Sequence, residues 1–208
     1  PCLPTFLKMS GYNMYSFMVG AMKLMGLKQF LIDRGYKTQD IFDHGISRDV
    51  PMYTMVIDKI LPDLVKNKQP FALHLANEDT HPLFYTDPVC VEKNKKIFKG
   101  RDIPPIISAF NCMDQITYNF TQQAIKLGLN DDNTIFVIYG DHLCFGGRKG
   151  VFPERKLVNI FPFKLKNVNH KPGTYYDLVP TLLKQLNISY EPQLPFGTDL
   201  FSDEIGNP

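Results

Sequence analysis

The sequence predicts an α/β fold, a mostly parallel central sheet with helices on both faces, and three observations carry that expectation. Strand-like and helix-like segments alternate along the chain, residues 134–139 are β-branched and aromatic enough for a central parallel strand, and polar, His-containing turns follow two strand candidates. The 208 residues, 44% hydrophobic and 21% charged, suffice for one substantial core but not for two comfortable ones. Residues 1–208 are therefore expected to form a single domain.

In chain order, Leu3–Met9 reads as a short helix that Ser10-Gly11 ends, and residues 12–19, rich in aromatics and Met, read as a strand. Residues 23–34 form an amphipathic helix pattern closed by Gly35. The polar stretch 43–49 is a loop, and Pro51 opens a helical pattern with Met55, Ile57, Ile60, Leu61 and Leu64. Phe71–Ala76 is a short apolar run between Pro70 and the polar Asn77-Glu78-Asp79, as a buried strand requires. The clearest periodicity spans residues 104–127, where Ile106, Phe110, Met113, Ile116, Phe120, Ala124 and Leu127 mark one helical face that Gly128 ends. A turn at Asn130-Asp131-Asp132-Asn133 precedes the strand 134–139, which stops at Gly140-Asp141-His142. Residues 157–161 are a further strand candidate, and Thr174 with Asp177 has the spacing of a capping box before a helix through Leu178, Leu182 and Leu186. The Pro- and Gly-rich tail from Pro192 reads as an irregular edge.

Composition narrows the function. Formal net charge is +2, and the one basic cluster, Lys93, Lys95, Lys96, Lys99 and Arg101, reads as a solvated segment, so no nucleic-acid partner is expected. No run of about 18 apolar residues exists to span a membrane. The opening Pro1-Cys2-Leu3-Pro4 lacks both an initiator Met and the features of a signal peptide, so the sequence reads as beginning inside a larger protein. Cys2, Cys90, Cys112 and Cys144 show no C-x-x-C spacing, which leaves buried thiols or disulfides. Sequons at Asn119 and Asn187 tilt the compartment towards extracytoplasmic.

Three polar segments could carry chemistry. Asp141-His142 ends an apolar strand, where a carboxylate and an imidazole project together as donors suited to Mn²⁺ or Zn²⁺ better than Ca²⁺; taken alone, the pair reads sooner as a turn-capping Asp beside an incidental His. His81, in Asp79-Thr80-His81-Pro82, could bond a phosphate oxygen or protonate a leaving alkoxide, or be an ordinary loop histidine. Arg48 could hold a phosphate, and Asp49 could orient a ligand or cap the following helix. Two His-containing turns at the ends of two strands can converge on one cleft.

In their order these motifs resemble the alkaline phosphatase/sulfatase superfamily, in its phosphoglycerol-transferase, lipoteichoic-acid-synthase-like branch. Residues 4–19 resemble the family's "LPxxLKxxGYxxxFxxG" stretch, residues 71–82 the strand leading to "DTHxP", residues 107–129 the helix with a Cys-x-Asp segment, residues 132–143 "DNTxxVxxxDHL", and residues 177–201 the closing "DLxPTLLxxLxI...PxGxxLF". The resemblance implies that Asp141 and His142 are ligands of a divalent metal, Mn²⁺ ahead of Zn²⁺, Mg²⁺ or Ca²⁺. It further implies that His81 serves catalysis and faces the substrate, and that Arg48 and Asp49 lie near it. Cys90 and Cys112 lie where these relatives carry cysteines, which implies a disulfide. His44 departs from the family, standing where relatives often have Trp.

What the resemblance implies is metal-dependent transfer or hydrolysis at a phosphodiester or phosphomonoester, such as a phosphoglycerol or phosphoethanolamine headgroup on a lipid or glycan. Relatives are anchored by N-terminal membrane helices, which implies an extracytoplasmic site with membrane contact; the oligomeric state stays open. The family's first-strand acidic ligand and its Thr nucleophile lie upstream of the matching stretch, so the chain is expected to be a truncated catalytic domain without a nucleophile, inactive by itself. Cys2-Leu3-Pro4-Thr5 imitates a sulfatase signature, but Phe6 replaces its Arg, and an unassisted thiol lacks activation. A sulfuric ester hydrolase and a degenerate, non-catalytic glycan- or headgroup-binding protein are the alternatives.

Overall fold

The computed structural model describes residues 2–19, 26–38, 48–142, 159–161, 173–190, 194 and 196–202. Helix α1 (Leu3–Met9) leads into strand β1 (Asn13–Met18), and α2 (Leu27–Asp33) into β2 (Tyr36–Thr38). The helical run α3 (Asp49–Met55), π turn Val56–Ile60 and α4 (Leu61–Lys66) leads into β3 (Phe71–Ala76). The three strands form a parallel sheet in the order β2-β1-β3, with Ser16 opposite His74 and Phe17 opposite Leu75. Each parallel neighbour follows a helical crossover, as parallel pairing demands. The expected α/β class with a parallel sheet is therefore present.

The π turn has a local cause. Pro62 has no N–H to give to the carbonyl four residues back, and the amide of Leu61 bonds instead to Val56, five residues back, which widens the turn without ending the helix. That helix lays Met52, Tyr53 and Val56 on the sheet face presenting Phe17 and Val19, with Tyr15, Leu73 and Leu75 around them. Met113, Ile116 and Phe120 of α6 (Pro105–Lys126) close the same core, Phe120 meeting the Tyr53 ring edge-on. Strand alternation sends Met14, Ser16 and His74 to the other face.

Helix α5 (Pro88–Ile97) was not expected. Its cations made residues 93–101 read as a solvated segment, and all five are exposed, but Cys90 and Asn94 are buried on its inner side. Asn94 donates to the carbonyl and hydroxyl of Ser108 and accepts from Gln115, and the Cys90–Cys112 disulfide joins α5 to α6. Because the first half of α6 turns Ser108 and Cys112 towards α5, Phe110, expected on the core face, is 54% exposed. The cystines are 22 residues apart, so reduction is expected to cost about 3 kcal/mol of stability. Iodoacetamide should label Cys2 and leave Cys90 and Cys112 unmodified until a reductant is added; labelling of either before reduction would contradict the pairing.

Residues 134–139 depart from expectation. Only β4 (Ile138–Tyr139) is a strand, antiparallel to β5 (Asn159–Ile160) in a separate two-stranded sheet, while residues 134–138 are half-buried. β-branched composition selects an extended backbone, but the tertiary neighbours decide which edge it pairs with. The expected strand 157–161 is described only at residues 159–161; His44, Leu143 and Cys144 lie outside the described residues.

The capping box at α7 (Tyr175–Gln185) is present. Asp177 accepts from the Thr174 amide at 2.6 Å and hydroxyl at 2.9 Å, and its other oxygen accepts from the Thr198 amide at 2.8 Å, tying the tail to the helix start. Gly197, at φ +88, passes so close to the Tyr176 carbonyl that a Cβ there would stand 2.1 Å from its oxygen.

Candidate functional site

β3 ends at Ala76 and opens into the turn that carries His81. Its tip is built by short backbone bonds, His81 to the Glu78 carbonyl at 2.8 Å and Tyr85 to the Asp79 carbonyl at 3.0 Å, and His81 itself is exposed. The turn is clamped to the start of α3 by two carboxylates acting on each other's backbone. The Asp49 carboxylate accepts from the amides of Glu78 and Asp79, both at 2.9 Å, while Asp79 accepts from the Asp49 amide at 3.0 Å. Asp49 is therefore not the N-cap of its own helix, because Arg48 holds that position and Asp79 supplies the acceptor. Asp49 is 1% exposed, and its carboxylate is engaged by the turn.

Arg48 completes the clamp from outside. One guanidinium nitrogen lies 3.2 Å from Asp79, and the guanidinium carbon sits 3.9 Å from the Tyr85 ring centroid. With 47% of the side chain exposed, a pre-oriented planar cation faces solvent beside His81's turn.

Burial pushes the Asp49 carboxyl up to about 6, against the pull of its two amide donors. A folded-state pKa above the ordinary 3.8 means that the fold holds the protonated form more tightly than the unfolded chain does. That contribution is full below 3.8 and is lost as pH rises through about 6. Relative to Asp49→Asn, which does not titrate, the wild-type chain is expected to lose on the order of 2 kcal/mol across this window. Urea unfolding of both proteins at several pH values checks it; a wild type that gains on the variant as pH rises refutes it.

The second polar turn follows β4. Asp141 accepts from the His142 amide at 2.9 Å, and its other oxygen lies 3.5 Å from Nε2 of His142; the side chains are 82% and 43% exposed respectively. Tyr175 donates from its hydroxyl to the Gly140 carbonyl, which anchors the turn to the start of α7. An adjacent carboxylate and imidazole, both within reach of solvent, fit a divalent cation as two of its donors. Among the described residues no group of three or more His, Cys, Asp or Glu side chains converges.

Three further side chains, Ser16, His74 and Tyr139, join the sheet to this turn, and none was singled out from the sequence. Nδ1 of His74 lies 3.0 Å from the Ser16 hydroxyl and Nε2 lies 3.3 Å from the Tyr139 hydroxyl. The signal available was a histidine at an alternating position of an otherwise apolar strand. Asp79 and Tyr85 were also missed as partners of Arg48, since their roles depend on contacts 31 and 37 positions away in the chain. The structure thus brings Arg48 and Asp49 together with the turn of His81. It sets Tyr139, two residues before Asp141, against β3 two residues before that strand ends.

The parallel sheet thus carries after β3 the His81 turn that Arg48 and Asp49 clamp from the start of α3, and the separate two-stranded sheet carries the Asp141-His142 pair after β4. The chain belongs to the sulfatase family of the alkaline phosphatase superfamily: residues 1–188 match the family described as Sulfatase. It is 26% identical over 201 residues to lipoteichoic acid synthase 1 of Bacillus subtilis, covering 88% of this chain and 30% of that protein. It is 29% identical over 158 residues to the lipoteichoic acid synthase of Staphylococcus saprophyticus, covering 68% of this chain and 24% of that protein. The crystal structure of the lipoteichoic acid synthase LtaP from Listeria monocytogenes superposes with a TM-score of 0.71 at 21% identity, over 96% of this chain and 56% of that one. That likeness establishes the fold, and the chain spans less than a third of the length of the Bacillus and Staphylococcus relatives. Among the described residues no helix is long and apolar enough to cross a membrane.

Proposed function

We propose that this chain is the substrate-binding and part of the metal-binding portion of a phosphoryl-group transferase or hydrolase. Its substrate class is a phosphoglycerol or phosphoethanolamine headgroup on a lipid or glycan. The similarity to lipoteichoic acid synthases supports the reaction class, and the observation that carries the site is Arg48, held between Asp79 and Tyr85 with the rest of its fork open to solvent. A planar guanidinium fixed in this way matches two phosphoryl oxygens at once.

Each residue then has a task. Arg48 binds the phosphoryl group. His81 bonds the headgroup and gives a proton to the departing oxygen. Asp49 reaches the substrate indirectly, through the turn it holds. Asp141 and His142 hold a divalent cation, Mn²⁺ in preference to Zn²⁺, Mg²⁺ or Ca²⁺. When bound, such a cation lowers the pKa of a nucleophilic hydroxyl and offsets the charge on phosphoryl oxygens. No nucleophile is assigned among residues 1–208. The Cys90–Cys112 disulfide supports an extracytoplasmic site.

The test is Mn²⁺-dependent release of diacylglycerol from a phosphoglycerol lipid by the full-length protein, run beside sulfate release from an aryl sulfate. Diacylglycerol without sulfate is expected. Sulfate alone would make the protein a sulfatase, and neither product, with headgroup binding retained, would make it a non-catalytic binder.

A further inference from the structure

We propose that His74 is a positioning residue for the Asp141-His142 turn, pinning Tyr139 to the central sheet and so setting where those two donors stand. The proposal rests on the reading that Asp141 and His142 hold a divalent cation.

The geometry carries it as follows. Ser16 and His74 are directly opposed across β1 and β3, on the face shared with Met14, Ala72 and Ala76. A polar pair among such neighbours is costly unless each polar atom is bonded. Ser16 is 0% exposed and meets Nδ1 of His74, and the opposite ring nitrogen meets Tyr139. Burial pushes the imidazole below its ordinary pKa, and the neutral ring offers one donor and one acceptor, which matches two hydroxyls. No backbone ladder joins β3 to β4 among the described residues, since β4 pairs with β5. The Ser16–His74–Tyr139 chain of bonds therefore fixes β4 against the sheet, and Asp141 follows Tyr139 by two residues. Tyr175 bonds to Gly140 within the same turn. A phenylalanine at position 74 would fill the space while leaving Tyr139 without this partner.

The two ring nitrogens can be tested separately. His74→Gln places an amide near Nε2 and keeps the bond to Tyr139, whereas His74→Asn places one near Nδ1 and keeps only the bond to Ser16. Mn²⁺ affinity is measured on the full chain by electron paramagnetic resonance titration, with Asp141→Ala as the control that removes a donor. His74→Phe, His74→Asn and Tyr139→Phe are each expected to weaken Mn²⁺ binding about tenfold, the size typical of lost outer-shell support. His74→Gln should stay close to wild type, and the His74→Phe/Tyr139→Phe double variant should be no weaker than either single variant, because both remove one bond. Tyr139→Phe deletes a single oxygen from a residue 44% exposed, so it remains a test even where His74→Phe does not fold. Wild-type affinity in both His74→Phe and Tyr139→Phe, with Asp141→Ala still defective, would overturn the proposal and leave the metal reading standing. Equal weakening by His74→Gln and His74→Phe would also overturn it, reducing His74 to a packing residue. Absence of Mn²⁺ binding by the wild-type chain would overturn the metal reading itself, and this proposal with it.

Discussion

Asp141→Ala is expected to abolish Mn²⁺ binding and to lower headgroup transfer by the full-length protein at least about a thousandfold, since a cation that offsets phosphoryl charge is worth several kcal/mol. The folded state should barely register the change, because the Asp141 side chain is 82% exposed and bonds chiefly within its own turn. Thermal melting without metal should therefore match the wild type, while the stabilisation that Mn²⁺ gives the wild type disappears. A variant that keeps more than about a tenth of the rate would remove Asp141 from the metal site.

Asp49→Ala acts in the opposite manner, with stability as the primary loss. Its carboxylate is the acceptor for the amides of Glu78 and Asp79 at a position 1% exposed. Truncation leaves two donors unsatisfied, at about 1 to 3 kcal/mol each, so a loss of about 3 kcal/mol in unfolding free energy is expected. The turn carrying His81 and the Asp79 carboxylate that orients Arg48 should loosen together, raising the substrate concentration needed for half-maximal transfer. Chemical denaturation decides the first point, and a cost below about 1 kcal/mol would mean that the reciprocal clamp does not hold the turn.

The sequence was most informative where one physical signal dominated. The helix α6, the strand β3 and the Thr174–Asp177 cap follow from local patterns and each is present in the structure, although the expected apolar face of α6 meets the core only from Met113 onward. It was least informative where a partner distant in the chain decides. Residues 134–139 have the composition of a central strand, yet their described pairing is a two-residue antiparallel ladder, which no local pattern encodes. Lysines hid α5, because what makes it a helix of this fold is the inner line of Cys90 and Asn94 against α6.

The same division holds at the site. Arg48, Asp49, His81, Asp141 and His142 stood out as polar residues in turns near strand ends or helix starts. What could not be read was how they are held. The helix-capping alternative for Asp49 was half right in an unexpected sense: an aspartate does cap α3, but it is Asp79, from the turn after β3. His74 escaped notice because a lone histidine in a strand is indistinguishable from a packed one until both of its ring nitrogens are seen to have partners. Cys2 was read as an unassisted thiol for want of a neighbouring Arg, yet Arg34 lies 3.5 Å away. Burial raises the Cys2 pKa, but the bonds from Thr5 and the Arg34 charge outweigh it and lower the pKa overall.

The central claim is that the Arg48–His81 turn and the Asp141-His142 turn serve one phosphate site. Titration of the chain with glycerol phosphate, with and without Mn²⁺, tests it most directly in the wild type, Arg48→Ala and Asp141→Ala. Mn²⁺-dependent binding that weakens at least about tenfold in both variants is the predicted result. Binding that ignores Mn²⁺, or that survives either substitution unchanged, would show that the two turns do not share a ligand.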